Sequence, residues 1–230
     1  MQYSQWMEQM QSAALFDLTH TAAAPLLSAH TYPWEVLSDI KDFIKALGAT
    51  LPADEYDSPR EGVWIHKTAR VFDSAWLGDN VIIGAGTEVR HCAFIRGNAL
   101  IGADAVVGNS TELKNVILFD RVQVPHYNYV GDSVLGYRAH MGAGSITSNV
   151  KSDKQLVCLH SGEHRFETGL KKFGAMLGDG VEVGCGSVLN PGTVVGAEAR
   201  IYPLSSVRGF VPARCIYKKQ GEIAAIEERG

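Results

Sequence analysis

An aliphatic residue returns every six positions through the middle of the chain: Ile65, Val71, Leu77, Ile83, Val89, Ile95, Ile101, Val107 and Leu113, with Phe119 in the next slot. Four residues after each aliphatic stands a small or β-branched residue: Ala69, Ala75, Val81, Thr87, Ala93, Ala99, Ala105, Thr111 and Ile117. A period of six matches neither the helix nor an ordinary strand. It is the pattern of a hexapeptide β-helix, in which each repeat gives one short strand and one turn. Three repeats close a triangular coil, and coils stack at the strand spacing of about 4.8 Å. The aliphatic points into the prism, and the small residue packs beside it at the turn. Glycines such as Gly78, Gly84, Gly102 and Gly108 follow the aliphatic where chains must come close.

The pattern returns as Leu177, Val183, Leu189, Val195, Ile201 and Val207. Between the two arrays the phase loosens, and residues 150–173 have no hexapeptide phase at all. They read as one long loop bulging from the prism, with a hairpin as one form it could take. So long an excursion from a regular solenoid points to function. Residues 1–56 differ again. Val36, Leu37, Ile40, Phe43, Ile44 and Leu47 fall at helical spacing, between Pro33 and Gly48. The expected architecture is all-β: a left-handed parallel β-helix over 57–230 with a C-terminal tail, and a helical cap and linker over 1–56. The cap is expected to cover the open end of the prism, because an uncapped solenoid exposes an edge.

Composition narrows the function. Lys and Arg number 21 against 25 Asp and Glu, a net charge of −4, so there is no electrostatic footprint for nucleic acid or an anionic membrane. No apolar run reaches the roughly 20 residues of a membrane helix, and the N-terminus lacks the basic and apolar regions of a secretory signal. The four cysteines, Cys92, Cys158, Cys185 and Cys215, form no CxxC pair. They fit a reducing cytoplasm better than a disulfide framework.

One stretch is unusually polar for a prism: 107–115 and 124–149. It contains His126-Tyr-Asn-Tyr129-Val-Gly131-Asp132-Ser133, then Gly142-Ala143-Gly144-Ser145 through Asn149, with Glu167-Thr168-Gly169 further on. This resembles the acetyltransferase half of the bifunctional enzymes that make UDP-N-acetylglucosamine. It is closer still to the archaeal sugar-1-phosphate nucleotidylyltransferase/acetyltransferases, where HxxYxGDS precedes GAGTxxxN and a basic loop. The segment 32–37 is similar to the stretch joining the two halves there. Nothing before residue 32 corresponds to the family's Gly-rich nucleotidylyltransferase loop, so the chain is not expected to make sugar nucleotides.

Acyl transfer to an amino sugar phosphate needs a base for the amine proton, cations for the phosphate, and donors for the tetrahedral oxyanion. His126 is the candidate base, matching the family's catalytic His. Arg96 and Lys114 lie 18 residues apart, one full coil. They are expected to stack on one face, an unfavourable pairing unless an anion lies between them. Both match the family's phosphate-binding pair. By the same resemblance Tyr129 contacts the sugar, Asn149 positions it, and Glu112 is a possible orienter of His126. The amide of Ala143 is a candidate donor to the acyl oxygen.

The chain departs from the family in three places. His140 stands where the bacterial enzymes have a second sugar-binding Asn, Val150-Lys151-Ser152 replaces YDG, and Cys185 replaces the coenzyme-side Ser. Leu204 and Ser205 share that region, and Lys218 and Lys219 are candidates for the coenzyme 3′-phosphate. The expected function is a homotrimeric, metal-free N-acetyltransferase using acetyl-CoA on an amino sugar 1-phosphate, with glucosamine 1-phosphate leading. The alternatives are a non-catalytic trimeric module binding a sugar phosphate or nucleotide sugar, and a carbonic-anhydrase-like enzyme requiring His91, His126 and His140 to converge on a metal.

Overall fold

The computed structural model describes residues 3–161, 164–219 and 221–226. It is a left-handed parallel β-helix of about 8 turns. Each of its three faces is one ladder of inward side chains. Ile65, Ile83, Ile101, Leu118, Leu135, Leu177, Val195 and Val211 stack in register on the first face. The second face is lined by Val71, Val89, Val107, Val124, Met141, Val183, Ile201 and Tyr217. The third carries Leu77, Ile95, Leu113, Val130, Thr147, Leu189 and Val207. The hexapeptide phase therefore identifies the core. The small residues close the turns: buried Thr87 accepts from the Ala105 amide and donates to the Gly102 carbonyl.

The loosened phase has a simple cause. Register slips by one residue between Ile95 and Gly97, so that Ile95 faces Leu113 but Gly97 faces Lys114. The coil from Ile101 to Leu118 is therefore one residue short, and the coil from Leu118 to Leu135 is short as well, because the step Val130 to Leu135 again has five residues. Leu118, not Phe119, takes the inward slot, and Phe119 is buried at the corner against Phe16. Leu135 then pairs with Leu177, and the intervening chain is one normal 18-residue coil plus the 24 residues 150–173.

The cap does not lie where it was expected. On the first face the residues just before the inward ladder point outward, and they too are apolar: Trp64, Ile82, Leu100, Ile117, Val134, Met176, Val194 and Phe210. From Ile82 to Phe210 all are buried. They are covered by the helix Ile40–Gly48, the 3-10 turn Pro33–Ser38 and the inner leg of the 150–173 loop. The N-terminal segment thus runs along a side of the prism, driven by burial of this second apolar ladder, and does not close its end. The ends are closed by antiparallel strands: Tyr56–Arg60 on Val63–His66, and Glu222–Ala225 on Cys215–Lys219. These protect the two sheet edges.

The loop is a hairpin, Cys158–Ser161 against His164–Glu167. It does not bulge freely. Val157 and Leu159 are fully buried, Phe166 packs on Tyr32 and Trp34, and the His164 ring packs against both Tyr3 and Trp6. The N-terminal segment is also latched at the corner between the first and second faces. Asp179 accepts from the amides of Asp17 (2.6 Å) and Tyr137 (2.7 Å), and its own amide donates to Leu15. Burial raises the Asp179 carboxyl above the ordinary carboxylate range.

Candidate active site

The polar stretch folds onto the third face and its two corners. Long strands such as Trp76–Ile83, Phe94–Ile101, Glu112–Leu118 and Tyr129–Leu135 run from the third face around a corner into the first. The corner residues Asn80, Asn98, Asn115 and Asp132 all have positive φ (58°, 50°, 56° and 48°), a conformation that Asn and Asp tolerate better than other side chains.

Asp132 is the hub of this corner. Its side chain is 5% exposed. One carboxylate oxygen accepts from Lys114 Nζ at 2.7 Å and Asn115 Nδ2 at 3.1 Å. The other accepts from Asn149 Nδ2, which also donates to the Tyr129 hydroxyl at 3.2 Å. Tyr129 lies beside Glu112 in the sheet. Burial, with Asp132 and Glu112 nearby, raises the Tyr129 phenol above its ordinary value. It stays protonated, and its O–H donates to no described residue. The sequence analysis placed Asp132 in the His126–Ser133 motif but gave it no role. Its Asp at a left-handed corner, in line with three Asn, was the available signal.

The expected stacking of Arg96 on Lys114 is not what the register gives. Arg96 is the unmatched residue of the slip, because Gly97 stands opposite Lys114. Each cation has its own carboxylate, Arg96 to Glu112 at 2.9 Å and Lys114 to Asp132 at 2.7 Å. Charge compensation within the chain thus replaces the anion required by the stacking argument. It also occupies Glu112, which binds Arg96 and makes no hydrogen bond to His126.

The opposite corner, between the second and third faces, carries the other candidates in one column. Gly144 N–H donates to the His126 carbonyl, and Gly186 N–H to that of Ala143. His126, Ala143 and Cys185 thus occupy successive coils, and all three are exposed. The His126 backbone is fixed by buried Asn128, which accepts from its amide at 3.0 Å and donates to the Gly142 and Ser145 carbonyls. The His126 imidazole makes no hydrogen bond to any described residue, and neither does the Ala143 amide. Both belong to residues exposed at this corner. Two prism edges thus bracket the third face: a free imidazole and a free amide on one, the Lys114–Asp132–Asn149–Tyr129 cluster on the other.

His140 departs from this grouping. It lies on the second face, paired with Gln123 and Glu182, and its Nδ1 is 2.8 Å from the Glu182 carboxylate. Within one chain it is therefore not beside Tyr129 and Asn149. His91 and His126 share a corner but are separated by the Asn109 coil. Among the described residues no three His, Cys, Asp or Glu side chains are grouped to hold a metal. Lys218 and Lys219 both pair with Glu222, at 3.6 Å and 3.2 Å. Leu204 is 85% exposed, and Ser205 is buried. Among the described residues no helix is long and apolar enough to cross a membrane.

No protein-family model matches the chain. Among curated proteins, a bifunctional sugar-1-phosphate nucleotidylyltransferase/acetyltransferase of Sulfurisphaera tokodaii is 31% identical over 167 residues, covering 73% of this chain and 38% of that protein. Bifunctional protein GlmU of Methanococcus vannielii is 38% identical over 109 residues, covering 47% and 26%. GlmU of Methanococcus maripaludis strain C5 is 28% identical over 200 residues, covering 86% and 48%. The chain is homologous to part of these bifunctional proteins. It spans between about a quarter and a half of their length. A hexapeptide transferase family protein of Anaplasma phagocytophilum gives a TM-score of 0.41 at 14% identity, covering 72% of this chain and 80% of that one. A likeness of that depth adds nothing to the fold established by the strand register.

Proposed function

We propose that the protein transfers acetyl from acetyl-CoA to the amine of an amino sugar whose anomeric oxygen bears phosphate, glucosamine 1-phosphate being the simplest such substrate. The observation that carries the reading is the pairing of a free His126 imidazole with the Lys114–Tyr129–Asn149 cluster across one prism face. The sugar amine attacks the thioester carbonyl and a C–N bond forms. His126 takes the amine proton, and the Ala143 amide donates to the oxyanion of the tetrahedral intermediate. The C–S bond then breaks, and the coenzyme leaves as its thiol after taking a proton. Arg96 and Lys114 turn from their carboxylates to the sugar phosphate, Tyr129 and Asn149 hold the ring, and Cys185 lies along the coenzyme's path. No step calls for a metal.

The first face is covered by the chain's own N-terminal segment, so a homotrimer would assemble through the second and third faces. His140, held by Glu182, would then reach the sugar only from a neighbouring protomer. A cytoplasmic role in UDP-N-acetylglucosamine synthesis is the role that the sequence resemblance implies. The deciding experiment is thiol release from acetyl-CoA with a panel of amino sugar 1-phosphates. Sugar-dependent release by the wild type, lost in His126→Ala, supports the reading. Sugar phosphate binding without release leaves a non-catalytic binding module.

A further inference from the structure

The corner that carries Lys114 and Arg96 continues toward the start of the prism into a cavity of about 760 Å³. Asp79 pairs with Gly97 and Gly97 with Lys114. Asn80 Nδ2 donates to Asn98 Oδ1 at 3.0 Å. The cavity floor at Asp79 and Asn80 is therefore one coil from Arg96 and in line with the cluster described above. Its other walls are Lys41 and Lys45 of the helix Ile40–Gly48, Arg60, Glu61 and Trp64.

The charges along this corner are unequal. Arg60 is held by Asp79 at 2.6 Å, Arg96 by Glu112 and Lys114 by Asp132. Lys41 and Lys45 make no ion pair with any described residue, although both are cavity-lining ammonium groups one helical turn apart. Like charges at that spacing disfavour the helix, and a bound anion removes the penalty. Beside them Trp64 is half-buried, its ring packed on Gly48 of the same helix. An indole next to a cationic pair suits a flat ring carrying phosphate, because stacking on aromatics tolerates any base. A free sugar 1-phosphate has no second phosphate and no flat ring with which to fill this space.

We propose that the amino sugar is taken as its nucleoside diphosphate derivative, with the nucleotide in the Lys41–Lys45–Trp64 cavity and the sugar on the third face. The proposal rests on the acetyl-transfer reading for its sugar end only. The test titrates UDP, dTDP and GDP separately into the intact protein by calorimetry, then into the Lys41→Ala/Lys45→Ala double variant, whose changes are on the helix surface. At least one diphosphate is expected to bind the wild type, and to bind the double variant at least tenfold more weakly. With acetyl-CoA, the matching nucleotide-linked amino sugar is expected to lose a similar factor in kcat/KM through KM, while the amino sugar 1-phosphate keeps its value. If none of the three binds, if the double variant binds unchanged, or if the wild type uses the 1-phosphate more efficiently, the proposal is wrong. If no sugar releases thiol but diphosphate binding is lost in the double variant, the acetyl-transfer reading fails and the nucleotide cavity stands.

Discussion

Asp132 ties the candidate site to the stability of the prism, and three substitutions separate its contributions. Its carboxylate takes three side-chain hydrogen bonds at 5% exposure, and its backbone sits at φ 48°. All three are bonds to a charged group, each contributing about 1.5–3 kcal/mol. Two offsets reduce the sum. Asn115 Nδ2 keeps the Leu37 carbonyl and Asn149 Nδ2 keeps the Tyr129 hydroxyl. Lys114 is a quarter exposed and can turn to water. Losing the carboxylate therefore costs about 3 kcal/mol. Asp132→Gly loses it without strain, because Gly accepts positive φ. Asp132→Ala adds about 1 kcal/mol for a Cβ in the left-handed region, for a total near 4 kcal/mol. Asp132→Asn keeps the shape and tolerates the backbone. An amide flip of Asn149 lets it accept from the new amide and from Tyr129, so only the charge is lost, at about 1 kcal/mol. Urea midpoints at unchanged m-value should fall in the order Asn, Gly, Ala, and for Ala the Tm should fall by roughly 8–16 °C. Equal midpoints for Asn and Ala, or all three within about 0.5 kcal/mol of wild type, would show that this carboxylate is no hub.

His126→Ala should lower kcat for acetyl transfer by roughly 10²–10⁴-fold with little change in sugar KM, since its ring holds nothing within the chain; stopped-time thiol release measures both. Leu100→Asp, on the covered ladder, places a charge under the N-terminal segment, and limited proteolysis should then cut within residues 3–52 while the prism stays intact. Gly108→Ala would put a methyl 1.5 Å from the Pro125 carbonyl oxygen; the coils must part there, and the protein should lose at least about 3 kcal/mol or fail to accumulate folded. For Asp179, whose folded pKa is raised, the native state holds more protons than the unfolded one. Wild-type stability should therefore fall as pH rises from the ordinary carboxylate value through the raised one. Asp179→Asn should remove that step, at the loss of one acceptor for the Asp17 and Tyr137 amides, and Tm against pH for the two proteins tests it.

The inward ladder was legible because a six-residue period leaves no other regular solution, and the length of the 150–173 excursion followed from where that period stopped. The slip at Arg96 was hidden for a physical reason. Leu118 and Phe119 are both apolar, so the hydrophobic pattern is satisfied equally by a five-residue or a six-residue step from Leu113. That ambiguity produced the expectation that Arg96 stacks on Lys114, and the same slip frees Arg96 to pair with Glu112. The partners of Asp132 lie in neighbouring coils and at the mouth of the loop, and only closed coils bring them together. The side on which the cap lies was readable, however. The outward residue is apolar at Ile82, Leu100, Ile117, Val134, Met176, Val194 and Phe210, whereas on the second face it is Arg70, Glu88, Gln123, Glu182 or Arg200 at five of its levels. The third face mixes outward Trp76, Phe94, Ile146 and Val188 with Glu112 and Ser206, so the first face alone is apolar outside at every level, and the chain's own segment covers it. A face covered in that way is closed to a second copy. The apolar ladder therefore decides which two faces a protomer can offer to a neighbour, and these are the faces that meet at the His126 corner.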